Sequence, residues 1–574
     1  MIFTDITFQT NTIKLLSRIL DVKNPIEPIF PFRPQKPKFK ASEKISPLPR
    51  KTPSAAYISP QIISEFLDEL NKNPELDMHS VMIVKDGAVI AGAEWGDYSL
   101  NTWRVTHSEC KSIVSLAIGI LIGDKKLSLD DKVSDFFASE LSFLGRITRP
   151  NLTVRHLLTM SSGVVFNELG AATEEDFLNA FFESASKFPA GKSFDYNSMN
   201  SFVLSALVKK ITETSISEFL SKRLFSPLGI TDFYWEKCRK NIEMGGWGLY
   251  MLPEDMAKIG ILVLNGGKYN GEQLIPESYI KEAITPKMFP KGNGDFAYGY
   301  HIWVGKSVKS FLFNGMFGQN MLVYPENNII IVSNASNAET FQQGPFYAIA
   351  NRFFGHSIEK KKSLTCEIKL KKDIKSLKNE KFTLIDLPRE ARALNGACFE
   401  LNEGKASSVG LMPLTLSLLR SNYTKGITGV SFSVKKNVFI ITFSEGGISH
   451  SFPVGFKRKR ISEFNYFNES FQTAIRGDFY KNRKNETVLK LRLSFLELSN
   501  ARTMSFIFKD DGKITLKMAE IPNKRFLTAV IDNSLSQIPS NLIAKSVKNF
   551  IGKSTLAKRS DELFNPVLRG KRVK

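Results

Sequence analysis

Apolar and polar positions follow two different periods along this chain, and the change of period divides it. Around residues 61–72 apolar residues recur at helical spacing, and SVMIVKDGAVIAGAEWG then predicts two strands joined by a turn at Lys85-Asp86-Gly87. The pattern is mostly helical over 104–290, and three short apolar runs at 309–333 predict further strands. These elements predict an α/β (α+β) fold in which helices and a helical subdomain flank one antiparallel sheet built from both ends of the segment.

A second pattern begins near residue 393, where apolar and polar residues alternate with period two. The stretches that alternate most clearly are GVSFSVKKNVFIITFSEGG, TVLKLRLSFLEL and TMSFIFKDDGKITLKMAE. The last of them contains an Asp-Asp-Gly turn between two strands. This alternation predicts an antiparallel all-β domain, either a sandwich or a small barrel.

Proline and lysine mark the segments outside these two domains. Residues 24–60 carry nine prolines with little periodicity, so we expect an extended leader that cannot fold alone. We therefore expect five segments: a Pro-rich extended leader (1–60), a domain of helices around a sheet (61–356), a basic linker (357–392), a β-rich accessory domain (393–525) and a basic C-terminal tail with one candidate helix (526–574).

The net charge of +21 is confined to the second half of the chain. Residues 1–356 hold 37 basic and 37 acidic residues, whereas residues 357–574 hold 41 and 20. Such asymmetry indicates either a solvated basic surface, which we favour, or contact with an acidic polymer or membrane. No RNA-binding or helix-turn-helix signature accompanies the charge, so specific nucleic-acid binding is not expected.

Cysteine usage and apolar runs indicate a cytoplasmic protein without a transmembrane segment. The four cysteines form no CxxC pair, and in a chain of 574 residues they do not indicate a disulfide framework. The first twenty residues lack the basic and apolar regions of a signal peptide. The longest apolar run, Ile113 to Gly123, is shorter than the ~20 residues that span a bilayer and predicts a buried core helix.

The first candidate for chemistry is the serine of Thr106-His107-Ser108-Glu109-Cys110-Lys111, which comes directly before this apolar run. At the start of a helix, Ser108 and Lys111 are three residues apart and share one face. A serine needs a neighbouring base to become a nucleophile, and a partly desolvated lysine near a helix N-terminus can serve. The same N-terminus directs backbone N–H groups at an oxyanion. The alternative is a purely structural role, in which the serine caps the helix and the lysine lies on the surface.

Two further motifs follow in the chain. Phe194-Asp195-Tyr196-Asn197-Ser198 precedes a predicted helix, and Phe313-Asn314-Gly315-Met316 precedes a predicted strand. By themselves they are also typical of a loop tyrosine with helix-capping neighbours and of a glycine-rich turn. We find no G-x-S-x-G motif, which disfavours an α/β-hydrolase triad.

In this order the motifs resemble those of the β-lactamase-related serine hydrolases, a family of DD-peptidases, class C β-lactamases, esterases and 6-aminohexanoate-dimer hydrolases. The resemblance covers about residues 75–356. It rests on the S-x-x-K segment HSECKSIVSLAIGILIG, on LTVRHLLTMSSG, on FDYNSMNSFVLSALVKKIT, on MGGWGLYMLPEDMAKIGILVLNGG, on YGYHIWV and on NGMFGQNMLVYPENNIIIV.

The resemblance implies a role for each motif. Ser108 would form the acyl-enzyme, while Lys111 and Tyr196 would relay its proton. Ser198 would orient the lysine or the substrate, and the backbone N–H groups of Ser108 and Met316 would form the oxyanion hole beside Asn314 and Gly315. The implied chemistry uses neither a metal nor a cofactor, and His107 is interpreted as a packing residue.

One departure from the family pattern bears on the substrate. β-Lactamases and DD-peptidases carry Lys-Thr-Gly or His-x-Gly on the last active-site strand, where the cation pairs with a substrate carboxylate. Here the matching residues are Phe313-Asn314-Gly315, which include no cation. This favours a neutral small-molecule ester or an oligoamide.

Three alternative hypotheses remain open. The alternative hydrolase is a β-lactamase or DD-carboxypeptidase acting on penicillin-like or peptidoglycan-like substrates. The second reading is a catalytically idle binding protein of the same fold. The third is a basic binding module in the second half that delivers the hydrolase to an acidic surface. The β-rich domain could equally act as a lid or as the interface of a homodimer.

Overall fold

The helices and strands of the computed structural model are described over residues 3–21, 23–42, 46–292, 294–338, 344–358, 364–378, 387–405, 407–522 and 562–573. Helices α1 to α16 span Phe3–Leu20, Pro60–Lys72, Glu109–Gly123, Val133–Phe136, Phe143–Thr148, Val154–Leu158, Glu168–Thr173, Phe177–Glu183, Ser198–Thr212, Ile216–Leu220, Pro253–Leu264, Glu277–Ala283, Pro345–Phe354, Leu364–Leu377, Arg389–Ala393 and Leu414–Arg420.

Strands β1 to β12 span Met78–Lys85, Ala88–Glu94, Arg104–Val105, Phe233–Trp235, Leu249–Met251, Lys268–Tyr269, Glu272–Gln273, Phe296–Tyr298, Trp303–Gly305, Phe311–Gly315, Gln319–Tyr324 and Ile329–Ala335. Strands β13 to β22 span Cys398–Leu401, Ile427–Lys435, Val438–Glu445, Ile448–Gly455, Ile461–Tyr466, Glu469–Lys481, Thr487–Phe495, Ala501–Phe508, Lys513–Ile521 and Val567–Arg572.

Two compact units make up the chain, and their bounds differ from the five expected segments. Unit one comprises Met1–Ile6 and Lys40–Lys378, and unit two comprises Thr7–Phe39 and Asn379–Lys574. The expected leader thus contains helix α1 and contributes residues to unit two. Helix α14 occupies part of the expected basic linker, and β22 lies in the expected tail. The other tail residues up to 561, where its candidate helix was expected, lie outside the described residues.

Unit one is built on a seven-stranded sheet in the order β2-β1-β12-β11-β10-β9-β8. Every neighbouring pair in it is antiparallel. The predicted hairpin turn is confirmed, with Asp86 and Gly87 in the left-handed region at φ 49° and 74°. Because β1 pairs with β12, strands from the two ends of the unit are neighbours in one sheet, as the sequence pattern predicts.

Helices cover both faces of this sheet. On one face Phe66 of α2 and Phe354 of α13 pack edge to face with ring centroids 5.0 Å apart, over a core that includes Ile83 and Leu322. On the other face α11 lies so close that a Cβ at Gly260 would come 2.8 Å from the sulfur of Met321. Helix α3, the predicted apolar run, is buried over most of its length. In the described part of the chain, no helix is both long and apolar enough to cross a membrane.

The β-rich domain of unit two is a closed barrel rather than a sandwich. Its sheet runs β16-β15-β14-β13-β22-β21-β20-β19-β18-β17, and β16 also pairs with β18 in parallel, so nine of the described strands form a ring. Alternate residues point inward, as the period-two pattern predicts: Ile514, Leu516 and Met518 on β21 are buried. Phenylalanine rings fill much of the interior, and Phe432 and Phe439 stack at 5.7 Å.

Buried carboxylates in this unit bind one connecting segment, residues 407–424, which we call the plug segment. Glu445 accepts a hydrogen bond from the Leu411 backbone N–H at 3.0 Å. Glu520 accepts from the Leu414 N–H at 2.9 Å, at the start of α16. The carboxylates are at most 3% exposed, so the plug segment satisfies groups that would otherwise destabilise the interior.

Residues 7–39 are an integral part of unit two because they contribute a buried cation. The Lys36 backbone donates to Asn468 O at 3.1 Å and accepts from Ser470 N at 3.1 Å, like a short added strand. Its ammonium forms a fully buried ion pair with Glu497 and lies 4.8 Å from the centre of the Phe471 ring. A Pro-rich segment without periodicity of its own is therefore ordered by the barrel on which it lies.

A loop between β8 and β9 places a histidine under α3. The His301 backbone N–H donates to Leu158 O at 2.9 Å, and its Nε2 lies 2.9 Å from Ser201 Oγ. Burial and, to a smaller extent, the neighbouring Lys111 together lower the pKa of His301 to about 3. The imidazole is therefore held neutral.

We expect Lys36→Ala to lower the free energy of unfolding of unit two by about 3–5 kcal/mol, because Glu497 would remain buried and unpaired. Lys38→Ala is the matched control: its ion pair with Glu463 is exposed and contributes less than about 1 kcal/mol. All five tryptophans lie between residues 95 and 303, so calorimetry or far-UV circular dichroism must follow this transition. Equal destabilisation by both substitutions would contradict the buried-pair assignment.

Because His301 is held neutral, we expect the free energy of unfolding of unit one to fall at acidic pH. Above pH 6.5 His301 is neutral in both the folded and the unfolded chain, so it does not make the stability depend on pH. Below that pH the unfolded chain binds a proton that the folded chain excludes, and the free energy of unfolding falls. Stability should fall by about 1.4 kcal/mol per pH unit between pH 6.5 and 3. His301→Asn should flatten this dependence in urea titrations followed by tryptophan fluorescence, and the exposed His356→Asn should not. An unchanged slope in the His301 variant would overturn the assignment.

Candidate active site

The chain reaches Ser108 through a short strand and a tight turn. Thr106, just after β3, donates both its N–H and its hydroxyl to Leu249 O, at 2.8 and 3.0 Å. His107 then adopts a left-handed conformation with φ 48°, and Ser108 occupies the N-cap position of α3. This reversal of direction presents the serine at the N-terminus of a buried fifteen-residue helix, as the sequence predicts.

Lys111 contacts Ser108 directly. Its Nζ lies 2.8 Å from Ser108 Oγ, the spacing expected from residues one helical turn apart. The same nitrogen donates to the Gly246 carbonyl oxygen at 2.6 Å, and Lys111 is 1% exposed. A buried amine held by a carbonyl on one side and a serine hydroxyl on the other is positioned to accept the hydroxyl proton.

The Gly245-Gly246 loop that holds Lys111 also packs on the start of α9. A Cβ at Gly246 would lie 2.7 Å from Ser198 Cβ, and one at Gly245 would lie 2.2 Å from Ser201 O. Glycine is therefore required at both positions. Ser198 reaches the site as the neighbour of Gly246, and its backbone N–H donates to Glu168 at 2.8 Å. Gly246 is a site residue that was not predicted, although the glycine pair in MGGWG is visible in the sequence.

Tyr196 lies over the lysine. Lys111 Nζ is 5.1 Å from the centre of the Tyr196 ring, and that ring stacks on Trp303 at 6.1 Å. The next residue fixes the loop: Asn197 caps α9 through Met199 N and donates to Val164 O and Phe166 O at 3.0 and 2.8 Å. The structure thus brings Ser108, Lys111 and Tyr196 together.

The last motif meets the nucleophile segment through Gly315. A Cβ there would lie 2.2 Å from the Thr106 carbonyl oxygen, so β10 and the residues before Ser108 are in direct contact. Asn314 lies on the opposite face of β10, and its side-chain amide donates to Asn320 Oδ1 at 2.8 Å. Met316 begins the turn that follows β10.

Near this contact, two backbone N–H groups and one strand edge have no hydrogen-bond partner among the described residues. Among the described residues, no hydrogen-bond acceptor is found for the N–H of Ser108 or of Met316. Over the same residues β9 pairs with β10 only at Phe311 and Leu312, so Asn314 and Gly315 form an edge without a neighbouring strand. Open donors at a helix start and a strand end are suited to bind a developing oxyanion.

The other reactive groups near Ser108 are inert. Burial raises the pKa of Cys110 to about 12, so its thiol is not a nucleophile at neutral pH. Burial also raises the pKa of Glu109 well above its ordinary value, which favours the uncharged acid. Within the described residues, no three His, Cys, Asp or Glu side chains are grouped to hold a metal ion.

The chain is similar to several known proteins. The beta-lactamase family model matches residues 65–351, which is half of the chain. Protein flp of Staphylococcus aureus (strain MW2) is 24% identical over 165 residues, 26% of this chain and 33% of that protein. The chain thus spans about a third of the length of this relative.

Solved structures are similar at lower identity. A candidate 6-aminohexanoate-dimer hydrolase from Bacillus anthracis is 20% identical with a TM-score of 0.44, covering 58% of this chain and 88% of that one. The D-stereospecific amidohydrolase of a Streptomyces species is 14% identical with a TM-score of 0.41, covering 52% and 99%. The family match includes every candidate site residue, and the chain therefore belongs to the beta-lactamase-related serine hydrolase family.

Proposed function

We propose that this protein hydrolyses an ester or amide bond through an acyl-enzyme on Ser108, with Lys111 and Tyr196 as the proton relay. The observation that carries the proposal is the 2.8 Å contact between Lys111 Nζ and Ser108 Oγ at the N-terminus of a buried helix. An idle binding protein has no physical need for a buried lysine aimed at a serine, because burying an amine costs free energy.

The reaction proceeds in two acyl transfers. Ser108 Oγ attacks the substrate carbonyl carbon while the amine of Lys111 takes its proton. The Gly246 carbonyl accepts an N–H of this amine at 2.6 Å and so holds the nitrogen within hydrogen-bond distance of Ser108 Oγ. The relay through Tyr196 returns the proton to the leaving group when the scissile bond breaks. Water then attacks the acyl-enzyme by the reverse route and frees the acid.

The open N–H groups of Ser108 and Met316 stabilise the negative oxygen that forms in each step. A preorganised donor of this kind contributes about 3–4 kcal/mol to a transition state. The free edge of β10 at Asn314 and Gly315 offers further backbone contacts to the substrate. Neither donor has to rearrange when the charge develops.

A neutral ester or an oligoamide fits this site better than a β-lactam or a peptidoglycan peptide. The residues that match the family's cationic strand motif are Phe313-Asn314-Gly315, and Phe313 is fully buried. The Asn314 amide is bound to Asn320 and cannot replace the missing charge. A carboxylate at this edge would therefore lack the cation that the family motif supplies.

Labelling tests the nucleophile. A fluorophosphonate probe should modify the wild-type protein once, and Ser108→Ala should abolish labelling with almost no change in melting temperature. Ser112→Ala, one turn further along α3, should still be labelled. Lys111→Arg keeps a long basic side chain but removes the general base, so labelling should slow by about 10²-fold or more. A wild-type protein that stays unmodified, or labelling that survives Ser108→Ala, would refute the catalytic proposal.

A matched substrate pair tests the charge preference. For p-nitrophenyl esters of equal acyl length, kcat/KM should be about ten-fold or more higher for the neutral acyl chain than for one ending in a carboxylate. A chromogenic cephalosporin and a linear aminohexanoate dimer extend the series to the alternative functions. Preference for the carboxylate ester, or efficient cephalosporin turnover, would favour the β-lactamase or DD-carboxypeptidase reading.

A further inference from the structure

Two strained residues flank the proposed oxyanion hole. His107 directly precedes Ser108 and has φ 48°, and Phe317 directly follows Met316 and has φ 65°. Side chains with a Cβ rarely adopt this left-handed conformation, and a phenylalanine does so less often than a histidine. Such strain persists only where the surroundings impose it, and it occurs most often at functional sites.

The side chains of these two residues contact each other. The rings of His107 and Phe317 pack edge to face with centroids 5.6 Å apart and planes at 83°. Both residues are at most 2% exposed, so the contact is part of the packed interior. Edge-to-face geometry is favourable for aromatic rings, because the positive edge of one meets the negative face of the other.

The backbone beside each ring is hydrogen-bonded to a different sheet. On one side, Thr106 binds Leu249 O of β5 and fixes the residue before His107. On the other side, the Phe317 carbonyl accepts from Asn337 N at 3.1 Å and from the Gln319 side chain at 3.2 Å, at the end of the main sheet. The ring pair therefore joins the two supports that carry Ser108 and Met316.

We propose that the contact between His107 and Phe317 sets the spacing of the two oxyanion-binding N–H groups, so that both are positioning residues for the reaction. This rests on the proposed hydrolase function. The contact acts on stabilisation of the oxyanion and leaves the pairing of Ser108 with Lys111 intact. His107 acts through its ring and takes no part in proton transfer.

Substitutions that keep the backbone conformation but remove a ring test this proposal. Asparagine tolerates the left-handed region, so His107→Asn and Phe317→Asn remove the contact with little added strain. Each should lower kcat for a p-nitrophenyl ester by about ten-fold or more while KM changes less than about three-fold. The double variant should lose little more than either single variant, because both remove one contact.

His107→Phe is the conservative control. It retains an aromatic ring at 107 and removes the imidazole, so kcat should stay within about three-fold of wild type. A loss in His107→Phe as large as that in His107→Asn would show that the imidazole itself is needed, and this would overturn the positioning role. Melting temperatures of all variants exclude loss through unfolding.

Replacing the substrate carbonyl oxygen by sulfur gives a readout that a general structural defect would not change. Sulfur accepts hydrogen bonds weakly, so a thionoester depends less on the two N–H groups. The ratio of ester to thionoester rates should fall in the asparagine variants by about the factor lost on the ester. A fall of both rates with an unchanged ratio would refute the proposal, whereas a wild-type protein without esterase activity or labelling would refute the hydrolase function itself.

Discussion

The hydrogen bond between Lys111 Nζ and Ser108 Oγ depends on the elements that are packed around it. A lysine amine buried at 1% exposure needs acceptors, and the Gly246 carbonyl supplies one only because two glycines let that loop lie against α9. The amine also needs neighbours that neither neutralise it as counter-ions nor repel it. Burial meets this need, since it keeps His301 neutral and favours the uncharged form of Glu109. The sheet, α3 and α9 of unit one position these groups.

Unit two stabilises several buried charged groups by giving them partners. There the buried groups are paired: Lys36 with Glu497, Arg420 with Glu469, and Glu445 and Glu520 with the plug segment. Pairs of this kind add little net stability, but they are costly to break and so specify one arrangement. They fix which segments pack on the barrel strands, and one of these segments is the part of unit two that contains Lys36, residues 7–39.

Most of unit one followed from the sequence because its signals are local. The Asp86-Gly87 turn, the apolar run of α3 and the three closing strands each have a short-range pattern, and S-x-x-K places its two side chains on one helical face. Contacts between distant segments had no such pattern. In the sequence Gly246 is 135 residues from Lys111, and residues 40–378 of unit one lie between Lys36 and Glu497. Alternation predicts strands, but ring closure between β16 and β18 depends on pairing that periodicity does not encode.

The central claim is that the acyl group passes through Ser108, and mass spectrometry of the quenched reaction tests it most directly. Mixing the protein with a p-nitrophenyl ester and quenching in acid within one turnover traps any covalent intermediate. We predict a mass increase of one acyl group, located by peptide mapping to the segment that contains Ser108. Turnover with the acyl group on another residue would contradict the account, as would turnover in which no acylated protein is trapped although deacylation is rate-limiting.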